Sequence, residues 1–449
     1  MRTFPIGGIH PSDNKQWSKE RPIEVMALPD VVSVPMVQHI GAPATPIVKK
    51  GDKVLTGQLI GQAGGFVSAN IHAPISGTVT SVDMYANGQG QRRMMVVIKR
   101  DGDEWVDTID RSPELKRECK LTSAEIIAKI KDAGVVGLGG AQFPTHVKLS
   151  VPADQKAEIL IINGVECEPY LTSDYRNMLE RGEMILVGIE ILMRALSVSR
   201  AVIGVEANKP AAVEILRALI TKGCYKGIEV QTLQTRYPQG GEKQLIAAVT
   251  GRELPPPPAL PISMGVVVSN ISTAIAVYEA VQKNKPLIER VVSVTGKELK
   301  ERHNFLVRFG IPVDKFLERA GGLPDGDIKI LNGGPMMGRV VVDTSAPLIK
   351  GCSGITVLSG KEATRGEEGV CIKCAKCVSA CPMGLEPYLL SKISRLKKWD
   401  VAEEHYAADC IECGCCSYTC PSNLPLLDYI RIAKQSVMTA MRARANANK

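Results

Sequence analysis

The chain has 449 residues, 45% hydrophobic and 23% charged, with a formal net charge of +8. That composition gives two to four domains with buried cores and excludes a disordered protein. No apolar stretch reaches the ~18 uninterrupted residues of a membrane span, and Met1 to Pro11 lacks the apolar core of a secretion signal. Aromatic residues are only 4% of the chain and no basic run is interleaved with them, so nucleic acid is not an expected partner.

In chain order, residues 1–24 read as an irregular arm, because Gly7, Gly8, Pro11 and Pro22 break any period. Residues 25–115 carry short β-rich runs between glycine turns. There, Pro46 to Ile60 reads strand, turn, strand, and Ile71 to Val79 supplies half of a second hairpin. The pair resembles the barrel-sandwich hybrid of biotinyl and lipoyl domains. Those domains carry their cofactor on a hairpin-tip lysine, and no lysine occurs between Lys53 and Lys99. A structural or docking module remains.

Residues 116–288 alternate helical and strand patterns, which predicts a parallel α/β layer. The expected elements are a helix Ala124–Ala133 with Ser123 as N-cap, a strand Ile159–Ile162, a helix Met184–Leu196, a strand Ala201–Val205 and a helix Ala211–Ile220. Pro255 to Pro258 is a stiff polyproline loop. Residues 289–345 change character, with a strand at Val291–Val294 and a helix Val313–Ala320 ended by Gly321 and Gly322. Residues 346–369 read as a linker. Residues 370–449 hold most of the cysteines and end in a basic tail marked by Lys434, Arg442, Arg444 and Lys449.

The strongest chemical signal lies in that last segment. Cys371, Cys374, Cys377 and Cys381, the last followed by Pro382, repeat as Cys410, Cys413, Cys416 and Cys420, followed by Pro421. Three thiolates spaced by two residues wrap one face of a cubane, and the distal Cys-Pro reaches the other cluster in two-cluster ferredoxins. The spacing predicts two [4Fe–4S] clusters. One takes Cys371, Cys374, Cys377 and Cys420; the other takes Cys410, Cys413, Cys416 and Cys381. Zinc sites use paired CxxC units without a distal Cys-Pro, and fit less well. The segment between the motifs, Glu386 to Lys398, has a helical pattern, so a helical ferredoxin is expected instead of a compact βαβ one.

A second constellation lies in residues 116–288. Gly137-Leu138-Gly139-Gly140-Ala141-Gln142-Phe143-Pro144 is glycine-dense enough to let backbone N–H groups approach a phosphate or a flat ring. It departs from G-x-G-x-x-G at Gln142, and alone it reads as a plain loop. Three further polar turn clusters follow expected strands: Asn163 to Pro169, Tyr237 to Lys243, and Val268 to Thr273. Singly, Glu166, Glu168 and Glu242 read as solvated carboxylates. Together the clusters predict a nucleotide or flavin cleft at the carboxyl edge of the sheet.

These residues resemble the NADH-binding flavoprotein subunit of respiratory complex I. Over about Thr3 to Leu427, including the opening Phe4 to Pro11 and Gln38 to Pro43, the chain is more closely similar to the C subunits of Rnf complexes, membrane ferredoxin:NAD oxidoreductases. The resemblance implies a multidomain α/β protein. Its parts would be a barrel-sandwich hybrid, a Rossmann-like FMN/NADH domain, a soluble-ligand-binding β-grasp (SLBB) domain and a two-cluster ferredoxin domain. By the same resemblance, Gly137, Gly139, Gly140, Phe143, Lys148, Asn163, Gly240, Gly241 and Asn270 would hold non-covalent FMN, with Lys148 near its phosphate. Glu166, Glu168 and Glu242 would face flavin or nicotinamide in catalysis. Val165, Gly241 and Ser269 depart from the complex I motifs, as does Ala259-Leu260-Pro261, where an adenine-stacking phenylalanine would stand.

The implied activity is hydride exchange between NAD(H) and FMN, with single electrons passing through the clusters. The implied partners are the other subunits of a membrane complex on the cytoplasmic side, among them an iron–sulfur subunit and, indirectly, ferredoxin. A non-catalytic relay or docking subunit and a soluble corrinoid or metabolite reductase are the alternatives. Cys119, Cys224 and Cys352 read as isolated buried thiols. Cys167, between two carboxylates that raise its pKa, reads as structural. Cys415 has no assignable role, and His10, His39 and His72 read as packing residues away from the cleft.

Overall fold

Four runs rich in valine and isoleucine form one parallel sheet: Ile159–Asn163, Ala201–Glu206, Ile228–Leu233 and Val266–Asn270. The protein is described here by a computed structural model covering residues 1–257 and 259–447. Pro258 and Lys449, part of the polyproline loop and the basic tail, lie outside the described residues. The central strands show no alternation because helices cover both faces. Ser123–Asp132, Gly182–Leu196, Pro210–Lys222 and Ile271–Lys283 pack on one face, and Glu242–Thr250 packs on the other. Where Gly182–Leu196 crosses Ile271–Lys283, a Cβ on Gly188 would stand 2.0 Å from the Ala274 carbonyl oxygen, so only glycine allows that approach.

The first helix differs from expectation at its cap. Thr122, not Ser123, is the N-cap, because Glu125 stands three residues beyond it and completes a capping box. Ser123 instead donates its hydroxyl to the Ala195 carbonyl.

The N-terminal module consists of two small antiparallel sheets closing on a common core of Val32, Val34, Ile60, Ile71, Val79, Val96 and Ile98. A six-stranded mixed sheet follows the parallel one. Its members extend past the expected boundaries at both ends. Ile23–Val25, at the arm's end, pairs in parallel with His303–Arg308 at the sheet edge. Gly354–Ser359, inside the stretch read as a linker, is an interior strand between Glu289–Thr295 and Ile328–Asn332. Every residue of Gly354–Ser359 is buried, so it lacks the alternation that marks a half-exposed strand. The C-terminal module is helical, with Pro387–Arg395, Trp399–Glu404 and Leu426–Ala447 packed around Leu390, Ile393, Leu426 and Ile430. No described helix is long and apolar enough to cross a membrane.

Lys350 stitches three modules together. Its backbone N–H donates to Gln38 Oε1 at 3.0 Å, and its Nζ donates to the Asn70 and Gly134 carbonyls at 3.0 and 2.7 Å. The side chain is fully buried, and burial pulls its pKa from 10.5 to about 7. The unfolded chain therefore binds more protons between those two values. The penalty is complete below about pH 7 and fades as the pH rises toward 10.5. Chemical denaturation at several pH values should show stability rising by up to about 4 kcal/mol more in the wild type than in Lys350→Met across that window. Equal slopes in the two proteins would refute the lowered pKa of this buried lysine.

Of the thiols read as buried and isolated, Cys352 is buried and Cys119 half-buried, but Cys224 is exposed. Cys224 lies in the turn after Pro210–Lys222 with a positive φ of 52°, which turns it outward. His39 and His72 are packing residues: His39 accepts from the Ala69 N–H, and burial lowers the pKa of both imidazoles.

Candidate functional site

Along the sheet the strands stand in the order third, second, first, fourth, so the winding reverses between Ile159–Asn163 and Val266–Asn270. Open α/β sheets bind ligands beyond the carboxyl ends of their strands at such a switch point. Asn163 and Asn270 end the two strands there as register partners. Asn270 Oδ1 accepts from the N–H groups of Ser272 and Thr273 and caps Ile271–Lys283, while its Nδ2 donates to Asp174 Oδ2 at 2.7 Å. Asn163 Nδ2 donates to the Gly240 carbonyl at 2.8 Å.

The glycine loop closes over this point. Gly137 N–H donates to the Phe143 carbonyl at 2.9 Å, and Leu138 N–H donates to Thr273 Oγ1 at 2.9 Å, pinning the loop to the helix's first turn. A Cβ on Gly139 would stand 2.5 Å from Asn270 Nδ2, whereas one on Gly140 would meet nothing within 4 Å. Phe143 is half-buried at the loop's end. In the next short helix, Thr145–Leu149, Lys148 Nζ donates to Glu242 Oε1 at 3.2 Å and to the Val268 carbonyl at 3.0 Å. Glu242 opens the helix after Gly240-Gly241 and is exposed. Contacts therefore link the glycine loop, Lys148, Asn163, Gly240, Glu242 and Asn270 around one mouth.

Glu166 and Glu168 lie beside that mouth but are half-buried and engaged with backbone. Glu166 accepts from the N–H groups of Asp174 at 2.7 Å and Tyr175 at 3.2 Å, and so caps Ser173–Glu180. Burial pushes its carboxyl up to about 7; Lys15 opposes that shift and Asp174 adds to it. Glu168 Oε1 accepts from the N–H groups of Met336 at 2.6 Å and Met337 at 3.0 Å, and burial raises its pKa too. Two buried lysines clamp the loop between them. Lys15 Nζ donates to the Glu168 carbonyl at 2.9 Å, and Lys209 Nζ to the Val165 carbonyl at 2.7 Å and Glu206 Oε2 at 3.2 Å. Neither lysine is visible as a site residue in the sequence: Lys15 sits in an arm without a period, and no motif marks Lys209. Cys167 Sγ accepts from Gly240 N–H at 3.4 Å, and its thiol is pushed far up chiefly by burial, with the neighbouring carboxylates secondary.

In the helical module, Cys381, Cys410, Cys413 and Cys416 line one cavity, walled by Met383, Leu385, Leu390, Ile411, Leu427 and Ile430. Cys377 and Cys420 pack into the neighbouring core, while Cys371 and Cys374 are exposed. No three His, Cys, Asp or Glu side chains among the described residues converge tightly enough for a single metal ion.

The lined cavity faces the mouth across a bonded seam. Tyr237 Oη donates to the Cys413 carbonyl at 2.8 Å, and Gln244 Nε2 donates to the Pro382 carbonyl at 3.3 Å. The arm runs through the seam: Gly8 N–H donates to the Ala380 carbonyl at 2.9 Å, and Ile9 and Tyr237 exchange backbone hydrogen bonds at 2.8 and 2.9 Å. The sequence marks Tyr237 only as a turn residue, and nothing in it foretells this seam.

Comparison with known proteins matches three family models. Residues 3–103 fit the RnfC barrel-sandwich hybrid domain, residues 130–279 the Nuo51 FMN-binding domain, and residues 370–424 the 4Fe-4S dicluster domain. The C subunit of the Na(+)-translocating ferredoxin:NAD(+) oxidoreductase complex of Acetobacterium woodii is 43% identical over 98% of this chain and 98% of its own. The proton-translocating counterpart from Clostridium ljungdahlii is 44% identical over 89% of this chain and 86% of its own. The C subunit of the ion-translocating oxidoreductase complex of Rhodobacter capsulatus is 42% identical over 87% and 75%. Among solved structures, a chain of an NAD+-reducing [NiFe]-hydrogenase superposes with a TM-score of 0.48 at 17% identity, over 70% of this chain and 62% of that one. With a switch-point cleft, a cysteine-ringed cavity joined to it and these relatives over nearly its whole length, the chain belongs to the family of C subunits of ion-translocating ferredoxin:NAD(+) oxidoreductase (Rnf) complexes.

Proposed function

We propose that this chain exchanges a hydride between NAD(H) and FMN at the switch point and passes single electrons through two [4Fe–4S] clusters to an iron–sulfur partner protein, and so indirectly to ferredoxin, on the cytoplasmic face of the membrane. The observation that carries this reading is the seam. The glycine loop closes on Asn270, and Tyr237 ties the adjoining loop to Cys413 within one bonded unit. The strand order and direction support a Rossmann-like assignment of the parallel sheet, and the mixed sheet with its helix Val313–Glu318 supports the SLBB one.

The residues fit the groups. Gly140 leaves open space beside the Asn163–Asn270 edge, as a flat ring requires, and Lys148 supplies a cation for a phosphate. Bound FMN would supply the exchange between hydride pairs and single electrons. Gly137, Gly139, Gly140 and Phe143 form the cradle; Asn163, Gly240, Gly241 and Asn270 line it; Lys148 and Glu242 stand at its mouth. Of the three carboxylates, Glu242, exposed and paired with Lys148, is the one placed to meet a nicotinamide nucleotide, while Glu166 and Glu168 hold the loop that shapes the cleft.

The cavity ringed by Cys381, Cys410, Cys413 and Cys416 suits a cubane, which spreads its four thiolates over several irons. This cluster is the flavin-side one. The second, on Cys371, Cys374, Cys377 and Cys420, has two exposed ligand cysteines and is the exit toward a partner. Anaerobic titration of the reconstituted chain with NADH should bleach flavin absorbance first and cluster absorbance next. Clusters that respond to dithionite while FMN stays oxidised under NADH would make the chain a relay and overturn the hydride assignment.

A further inference from the structure

The two cysteine motifs share one backbone but not one environment. Lys373 and Glu412 take positive φ angles of 56° and 58°, and Ala375 and Gly414 take 58° and 80°. Each motif then enters a short helix, Lys376–Ala380 in the first and Cys415–Tyr418 in the second. In the second motif the outward places are covered. Ile411 packs with Ile9, Tyr237 and Met336 in the seam, Glu412 pairs with Arg431 and Lys434 at 3.0 and 3.1 Å, and Cys415 is buried. In the first motif the same places are bare. Ile372 is 66% exposed and Val370 84%, and Lys373 and Lys376 stand exposed beside Cys371 and Cys374. The charge differs too: residues 370–385 hold two lysines and no acid, whereas the matching 409–424 hold two acids and no base.

The covered motif shows what this backbone accepts against it: an apolar contact at Ile411 and opposite charges around Glu412. The bare motif offers the same apolar place at Ile372 with the charge reversed. Neighbouring aliphatic side chains left in water mark an interaction site, and lysines around them steer and orient a partner of negative charge. We propose that Val370, Ile372, Lys373 and Lys376 form the docking face for an acidic iron–sulfur protein, whose carboxylates meet the two lysines and whose apolar centre covers Ile372. A face of this size suits a short-lived electron-transfer encounter. An anionic lipid surface would meet the same charge, but these lysines flank ligand cysteines, where a lipid offers nothing that takes up an electron. The inference deepens the exit role proposed above for this cluster and rests on it.

The test is stopped-flow reoxidation of the full-length reconstituted chain by two haem proteins, acidic cytochrome b5 and basic cytochrome c. Dithionite reduces the clusters beforehand, so the result does not depend on the hydride assignment; each encounter then moves one electron from cluster to ferric haem. The variant is Lys373→Glu with Lys376→Glu. The second motif already holds glutamate at the first of these places with the same φ, so the backbone tolerates it. With cytochrome b5 the wild-type rate should fall as salt rises, and the variant should be about tenfold slower at low salt. With cytochrome c the variant should be faster. A shifted cluster potential would move both rates the same way, so rates that move together, or do not move, would overturn the proposal. Sedimentation with phosphatidylglycerol vesicles that the variant abolishes, at unchanged cytochrome b5 rates, would make the face a lipid contact and overturn it as well. Cys371→Ser separates the two levels: wild-type iron and both cluster signals in that variant would defeat the ligand assignment, whatever the lysines do.

Discussion

Gly140→Val should give a chain that keeps its fold and both iron–sulfur signals but no longer retains FMN. A Cβ at Gly140 meets no protein atom within 4 Å, so the substitution strains nothing inside the chain and acts only on what occupies the space outside. Two added methyl groups there oppose a ring bound flat against the loop, at a cost of about 1–3 kcal/mol, or roughly 5- to 150-fold in affinity. Gly139→Val is the contrasting control. Its Cβ would press within 2.5 Å of Asn270 Nδ2, whose side chain caps a helix and bonds Asp174. That variant should lose flavin and thermal stability together. Flavin content after gel filtration and melting by circular dichroism distinguish the two. A Gly140→Val chain that binds FMN as tightly as the wild type would place the flavin elsewhere.

Gly7→Val should uncouple the clusters from the flavin. A Cβ on Gly7 would stand 2.3 Å from the Cys381 carbonyl oxygen and 2.6 Å from Pro382 N, and backbone atoms cannot swing aside. Gly7 also takes a φ of 65°, a left-handed conformation that costs a side chain about 1–2 kcal/mol. The arm must lift, giving up the Gly8 to Ala380 bond and loosening the Ile9–Tyr237 pairing that brings Cys413 to the mouth. A loss of about 2–3 kcal/mol from the seam corresponds to a roughly 30- to 150-fold shift toward the undocked module. Stopped-flow mixing with NADH should then show flavin bleaching at the wild-type rate and cluster bleaching slowed by a similar factor. Cluster bleaching at the wild-type rate would show that the arm does not hold the module in place.

The chemistry was the most legible part of this sequence. Eight cysteines at matched spacing, with two Cys-Pro pairs, predict cubanes wherever the module sits, because ligand spacing is a local property of the chain. The parallel sheet was legible for a related reason: strands buried on both faces read as unbroken apolar runs between amphipathic helices. That same property hid Gly354–Ser359, a buried strand with no amphipathic helix beside it to announce it, so it read as part of a linker. The glycine loop and Asn163 to Pro169 were readable as a cleft, but not the division of labour among its carboxylates. Nothing local distinguishes Glu242, exposed at a helix start, from Glu166 and Glu168, which are spent on the backbone N–H groups of Asp174, Tyr175, Met336 and Met337.

The order of residues alone thus carries an inventory: two cluster motifs, a glycine loop and a set of polar turns, each set by residues within a few positions of one another. How these parts are wired together emerges with the packed fold. Tyr237 meets Cys413 across 176 residues, and Lys15 reaches the Glu168 carbonyl across 153. Contacts at such separations depend on which surfaces pack together, and no short-range pattern of residue types encodes that.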